Sequence, residues 1–292
     1  MIKFFDAHTH IQFNAFSFDW QEVLGRAIEN NIGLINVGTQ KLTSQKAIDL
    51  AYEYEKINPH SKGMIYAAVG LHPIHTFESY YDENELGAPS SNNNEKYSFK
   101  SRAEEFDYNF YKNLAKDNKV LAIGECGLDY FRIESNEQKE KQIEAFEQQI
   151  LLAYEVKKPL MIHCRKSYND LINILKNNQN NLNSLPGIVH FFSGTKEDAR
   201  NLLNLGFYFT FGGVITFSRD YDEVIKFIPN DKILSETDAP YVSPAPYRGK
   251  RNEPLYVLEV IKKLAEIKNQ KFEEFNFQIL KNIKTLFKQV EV

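Results

Sequence analysis

The stretch DAHTHIQ, residues 6–12, follows the apolar run 2–5 and decides between two folds. Apolar runs separated by helical spacing suit a doubly wound open sheet or a (β/α)₈ barrel. An open sheet that binds a dinucleotide turns out of its first strand through a Gly-rich phosphate loop. DAHTHIQ has no glycine and carries two histidines, so the chain reads as α/β, a (β/α)₈ TIM barrel. Positions 8 and 10 point to one side of an extended chain, so both imidazoles can reach a single ion. An isolated His-x-His is a weak signal. Its meaning depends on what the other strand ends carry.

Eight short apolar runs end in polar residues: 2–5, 32–37, 64–69, 120–124, 159–163, 187–191, 207–211 and 233–236. Most are continuous rather than alternating, as strands buried on both faces are. Between them lie segments of helical period at 19–30, 43–57, 102–116, 136–156, 168–176, 195–205, 221–227 and 254–267. Ser135 with Gln138, and Thr195 with Asp198, mark two helix starts, and Gly206 marks a stop. This alternation predicts one barrel domain over 1–292. A polar, Asn- and Ser-rich segment at about 77–101 interrupts it after the third strand. It reads as a solvated insertion or as a loop that contacts substrate.

The 292 residues are 42% hydrophobic and 25% charged, ordinary for a globular protein. Net charge is −4, which argues against a broad basic face gripping duplex DNA. No run approaches the roughly 20 apolar residues that span a bilayer, and no signal peptide is apparent. Two cysteines, Cys126 and Cys164, make no disulfide framework; a cytoplasmic location is expected. Strand parity turns both thiols into the barrel wall. No long apolar helix face implies an obligate partner, so a monomer is expected.

Five of seven histidines fall at expected strand ends: His8, His10, His72, His163 and His190. Glu125 follows the fourth run and Asp238 the eighth. Barrel closure brings strand ends around one mouth, so His8, His10, Glu125, His163, His190 and Asp238 face a common centre. Nitrogen and oxygen donors of this kind suit zinc, manganese or a related divalent ion. Six ligands suit two ions sharing a bridging carboxylate, roughly 3.5–4 Å apart.

These residues sit in DAHTHI, VGLHP, AIGECGLDY, MIHCRKS, VHFFSG, FGG and ETDAPYVSPAPYRGKRNEP. In this order and spacing the chain resembles, nearly end to end, the TatD family of metal-dependent deoxyribonucleases, amidohydrolase-type barrel hydrolases. The resemblance implies that His8, His10 and Asp238 hold one ion and His163 and His190 a second, with Glu125 bridging. It implies a hydrolase of ester bonds that cleaves DNA, at single-stranded ends, with hydroxide activated by two divalent ions (Zn, Mn or Mg). Segment 77–101 looks longer than the usual family loop.

Within that frame Asp238 is expected to orient the nucleophile and accept its proton. Arg165 shares the side of His163 and is expected to pair with phosphate in bidentate fashion. His72 is expected to hydrogen-bond a phosphate oxygen or protonate the leaving oxygen. Glu236 and Asp6 are expected to support the ligands from behind. Asp129 either supports them or caps a turn. Arg248 and Lys250 either contact nucleic acid or shape a loop. Tyr130 and Phe131 offer faces to a base. Two other readings compete: an ester or amide hydrolase on the same scaffold, such as a D-aminoacyl-tRNA deacylase, and a binding module that kept the barrel. A phosphodiester favours two ions plus arginine, so Arg165 tilts the reading to phosphate.

Overall fold

A computed structural model of the chain describes residues 1–78, 82–86, 103–131 and 133–292. Eight parallel strands pair in chain order: β1 (Phe4–Thr9), β2 (Ile32–Val37), β3 (Ile65–Val69), β4 (Val120–Asp129), β5 (Leu160–Arg165), β6 (Gly187–Val189), β7 (Tyr208–Phe211) and β8 (Ile233–Ser235). The parallel bridge Thr9–Ala239 and a hydrogen bond from Ser235 Oγ to the Phe5 carbonyl (2.8 Å) close β8 onto β1. The TIM barrel expected from the alternation of runs is therefore the fold.

Helices lie between the strands: α1 (Trp20–Glu29), α2 (Lys41–Ile57), α3 (Glu83–Leu86), α4 (Tyr108–Leu114), α5 (Asn136–Val156), α6 (Tyr168–Asn177), α7 (Lys196–Asn204) and α8 (Asp222–Phe227), then α9 (Val257–Ile267) and α10 (Phe272–Leu286). The longer ones bury an apolar stripe against the strands, as Val23, Leu24, Ala27 and Ile28 do in α1. Thr195 caps α7 through Asp198 with a reciprocal capping box, and Ser135 accepts from Gln138 N at the start of α5. α10 was not among the expected helices, although Phe275, Ile279, Ile283 and Leu286 recur at helical spacing and are buried.

Two strands differ from expectation in a way that matters. β1 runs to Thr9 rather than Phe5, because the buried residues Asp6 and Thr9 continue its pairing with β2. β4 runs to Asp129, so one strand carries both Glu125 and Asp129. Its glycines are required by crowding. A Cβ on Gly127, at φ +125°, would lie 2.1 Å from the carbonyl oxygen of His163. Of segment 77–101, residues 79–81 and 87–101 lie outside the described residues; 82–86 are placed against the barrel mouth. Among the described residues no helix is long and apolar enough to cross a membrane.

Candidate metal centre

The six expected ligands converge at the C-terminal ends of the strands, around Glu125. Its Oε2 faces β1: His8 Nε2 is 3.5 Å away and His10 Nε2 3.7 Å. Asp238 Oδ1 lies 3.3 Å from His10 Nε2 and 3.7 Å from His8 Nε2. Oε1 faces the other way, 3.0 Å from His163 Nδ1, 2.8 Å from His190 Nε2 and 3.2 Å from His72 Nε2. One carboxylate is thus divided between two clusters of imidazole. Every member except Asp238 and His163 is buried, and those two are half-buried.

Neighbouring groups set which nitrogen each ring presents. His10 Nδ1 donates to the Val37 carbonyl at 2.7 Å, which leaves the Nε2 lone pair for the centre. His163 Nε2 lies 2.9 Å from Asp129 Oδ2, which leaves Nδ1. His72 is arranged in the opposite sense. Its Nδ1 accepts from the Ile74 amide at 3.2 Å, so the neutral ring carries its proton on Nε2 and presents a donor. Burial pushes the pKa of His72 down to about 4, which keeps the ring neutral.

Carboxylates hold the rear. Glu236, fully buried, accepts from the Phe191 amide (2.7 Å) and Thr210 Oγ1 (2.6 Å), with Oε2 3.7 Å from His190 Nδ1. Asp6 accepts from Thr237 N (2.8 Å), Thr237 Oγ1 (2.5 Å) and His8 N (3.3 Å). It ties β1 to the turn that carries Asp238, a residue held at φ +56°. Glu236 thus stands behind His190, while Asp6 touches only the backbone of His8 and the Thr237 turn. Asp129, left open between support and turn cap, does both: it holds His163 and accepts from the Phe131 amide at 2.9 Å.

The charges fit a cation. Burial opposes ionisation of Glu125, yet the imidazoles around it, His72 and His190 first, hold its carboxyl well below the usual range. Burial also opposes ionisation of Asp129, but His163 holds it down to about 2. The Nε2 atoms of His8 and His10 stand 3.1 Å apart, facing each other and the carboxylates. His10 turns a lone pair to that point, where a proton or a cation can be held between the two rings. His8 Nδ1 and His190 Nδ1 have no hydrogen-bond partner, so the protein offers these rings no full set of bonds of its own. The donor set therefore fits divalent ions. The trio His8–His10–Asp238 brings ligand atoms within 4.8 Å of one another; His72, Glu125 and His163 crowd equally close, with His72 contributing a proton rather than a lone pair.

Arg165 lines the cavity but does not turn inward with His163. It is exposed on the rim, with its guanidinium carbon 3.7 Å from the centre of the Phe131 ring. Arg248 stacks on Phe217 at 3.8 Å. Cys126 packs in the wall as expected; Cys164 is buried at the cavity edge beside Ser167. Sequence reasoning did not single out Tyr241 or Glu85. Tyr241 is three residues beyond Asp238 and Glu85 lies in the polar insertion, so neither carried a recognisable spacing.

Comparison with known proteins places this geometry in a family. The description "TatD related DNase" matches residues 5–288. The uncharacterized metal-dependent hydrolase YabD of Bacillus subtilis is 36% identical over 287 residues, covering 97% of this chain and 98% of its own. A 3'-5' ssDNA/RNA exonuclease TatD of Erwinia billingiae is 31% identical, over 97% of this chain and 98% of its own. The crystal structure of YjjV, a TatD homologue of Escherichia coli, superposes with a TM-score of 0.78 at 27% identity, covering 98% of both chains.

Proposed function

This chain belongs to the TatD-related DNase family of metal-dependent hydrolases, and on that premise we propose that it is a two-metal nuclease acting on single-stranded DNA. The observation that carries the reading is the division of Glu125 between two imidazole clusters. A carboxylate shared in this way suits a bridge between two ions. His8, His10 and Asp238 hold the first ion, and His163 and His190 the second. When bound, divalent ions supply an acidified water near neutral pH and neutralise charge on the phosphoryl oxygens.

The chain's own residues do the rest. Asp238 orients the attacking water and accepts its proton, from a half-buried position beside His10. His72, a neutral donor through Nε2, hydrogen-bonds a phosphate oxygen on the second-ion side. Asp129 orients His163, and Glu236 places a negative charge 3.7 Å behind His190. Arg165, steadied on Phe131, meets the incoming phosphates at the rim.

The test strips the metals, restores manganese, magnesium or zinc, and offers labelled single-stranded DNA beside ester and amide panels that include a D-aminoacyl-tRNA. Cleavage of DNA alone, lost in Glu125→Ala, is expected. DNA left intact by the wild type, or cut equally by the variant, would overturn the reading, and turnover of the ester would favour a deacylase. Metal analysis of the same samples is expected to give two ions per chain; one would overturn the bridge.

A further inference from the structure

Residues 82–86, the described part of the polar insertion, are fastened across one side of the mouth. Glu85, buried in the rim, accepts from Thr39 Oγ1 (2.5 Å) and Gln40 Nε2 (2.8 Å) and lies 3.1 Å from His75 Nε2. Thr39 and Gln40 follow β2; His75 follows β3. Asp82 accepts from the Tyr241 hydroxyl at 2.6 Å, and Tyr241 lies beyond β8. α3 also packs on the one-turn helix Asn14–Phe16, which follows β1. Five residues therefore bridge the ends of four adjacent strands, β8, β1, β2 and β3. The ion pair is firm: burial opposes it, but His75 holds Glu85 down to about 2.

This strap has a consequence for a polymer. A strand cut in its interior must leave the centre on both sides. Here the strap forms part of the cavity wall through Asp82 and Glu85, so a strand leaving on that side would have to pass it. The cavity volume is about 520 Å³, within the roughly 300–1,000 Å³ that houses one small ligand. Phe13, Phe77 and Tyr241 line it as well and offer faces to a base. Asp82 and Glu85 line it too; His75 offsets the charge of Glu85, so a phosphate placed there would meet the charge of Asp82. Exposed Arg165 and Lys166 stand on the opposite side, over β5.

We propose that residues 82–86 are an end stop: Asp82 and Glu85 close the mouth so that it seats one terminal nucleoside bearing a free hydroxyl, and they exclude a strand that continues or ends in phosphate. The proposal rests on the nuclease reading. The polymer's phosphates then lie on the Arg165 side, and its last base lies under the strap.

The experiment uses three single-stranded DNAs of one sequence: linear with hydroxyl ends, linear with phosphate at both ends, and a covalently closed circle. Each is offered to the manganese-loaded enzyme, and rates are taken as ratios to the hydroxyl-ended strand, so a partly folded variant still gives a valid answer. The wild type is expected to cut the circle at less than a hundredth of the linear rate and the phosphate-ended strand at least tenfold more slowly. Tyr241→Phe removes only the hydroxyl that holds Asp82 and should raise the circle ratio by about fivefold. Asp82→Asn keeps an acceptor, removes the charge, and should raise the phosphate-ended ratio while the circle stays resistant. A wild type that cuts circles as fast as linear DNA, or variants with wild-type ratios, would overturn the end stop. Equal wild-type rates on phosphate and hydroxyl ends would overturn its charge argument. If the wild type cuts none of the three, the nuclease reading itself fails and the end stop with it.

Discussion

Over the ends of β8, β1, β2 and β3 the mouth is covered and acidic, with Asp82 and Glu85 latched to Tyr241, Thr39, Gln40 and His75. On the β4–β5 side it is basic, with exposed Arg165 and Lys166 stacked on Phe131, itself 41% exposed. The same strand-and-helix unit builds both sides; what differs is the loop after each strand. The difference teaches where charge has been spent. A chain of net charge −4 has no general attraction for nucleic acid, so a few local cations must supply it. The proposed metal ligands straddle the boundary: His8, His10 and Asp238 stand on the covered side, His163 and His190 on the other, and Glu125 faces both.

That division can be broken most directly at the shared residue. Glu125→Ala should lower cleavage by several kcal/mol of transition-state stabilisation, on the order of 10³-fold or more, as measured by single-turnover rates. A loss under tenfold would mean that the two sides do not meet at Glu125. Asp129→Asn should act on the basic side alone. It frees His163 and is expected to cost about 10–100-fold in affinity for the second ion, with the first unchanged, by metal titration. Equal weakening of both ions would erase the boundary.

Smaller effects sharpen the contrast. Phe131→Ala should raise KM for single-stranded DNA by the ~1–3 kcal/mol of a lost stacking platform, with little change in kcat. Arg165→Ala should reduce the salt dependence of binding, lowering the slope of log K against log salt by about 0.7 for one lost phosphate contact. An unchanged slope would place the strand elsewhere. The smallest effect is expected on the covered side: Tyr241→Phe should cost about 1 kcal/mol of local stability, read as faster amide exchange at 82–86 with the melting temperature nearly unchanged.

Much of the barrel was legible because its signals are local. Continuous apolar runs such as 32–37 and 120–124 announce strands buried on both faces, and the ligand candidates stand where those runs meet polar residues. α10 was missed although Phe275, Ile279 and Ile283 carry its period, because no functional residue drew attention beyond Pro254. The role of Asp129 was half legible: its place four residues past Glu125 was plain, but its bond to His163 required β4 to continue through Gly127. Arg165 was expected inside with His163, since alternation alone assigns a side; the side chain instead lies outward on Phe131, which the sequence places 34 residues earlier.

By itself the sequence determined the barrel and the set of metal-type side chains at its mouth, since period and strand parity are properties of neighbouring residues. Only the tertiary structure decided how they are used. It decided which nitrogens of His10 and His163 face the centre, and that an acidic segment is tied across one side. Those outcomes depend on hydrogen bonds between residues brought together by barrel closure, such as Asp6 with Thr237 and Asp82 with Tyr241. No spacing along the chain encodes a contact whose partners lie more than a hundred residues apart.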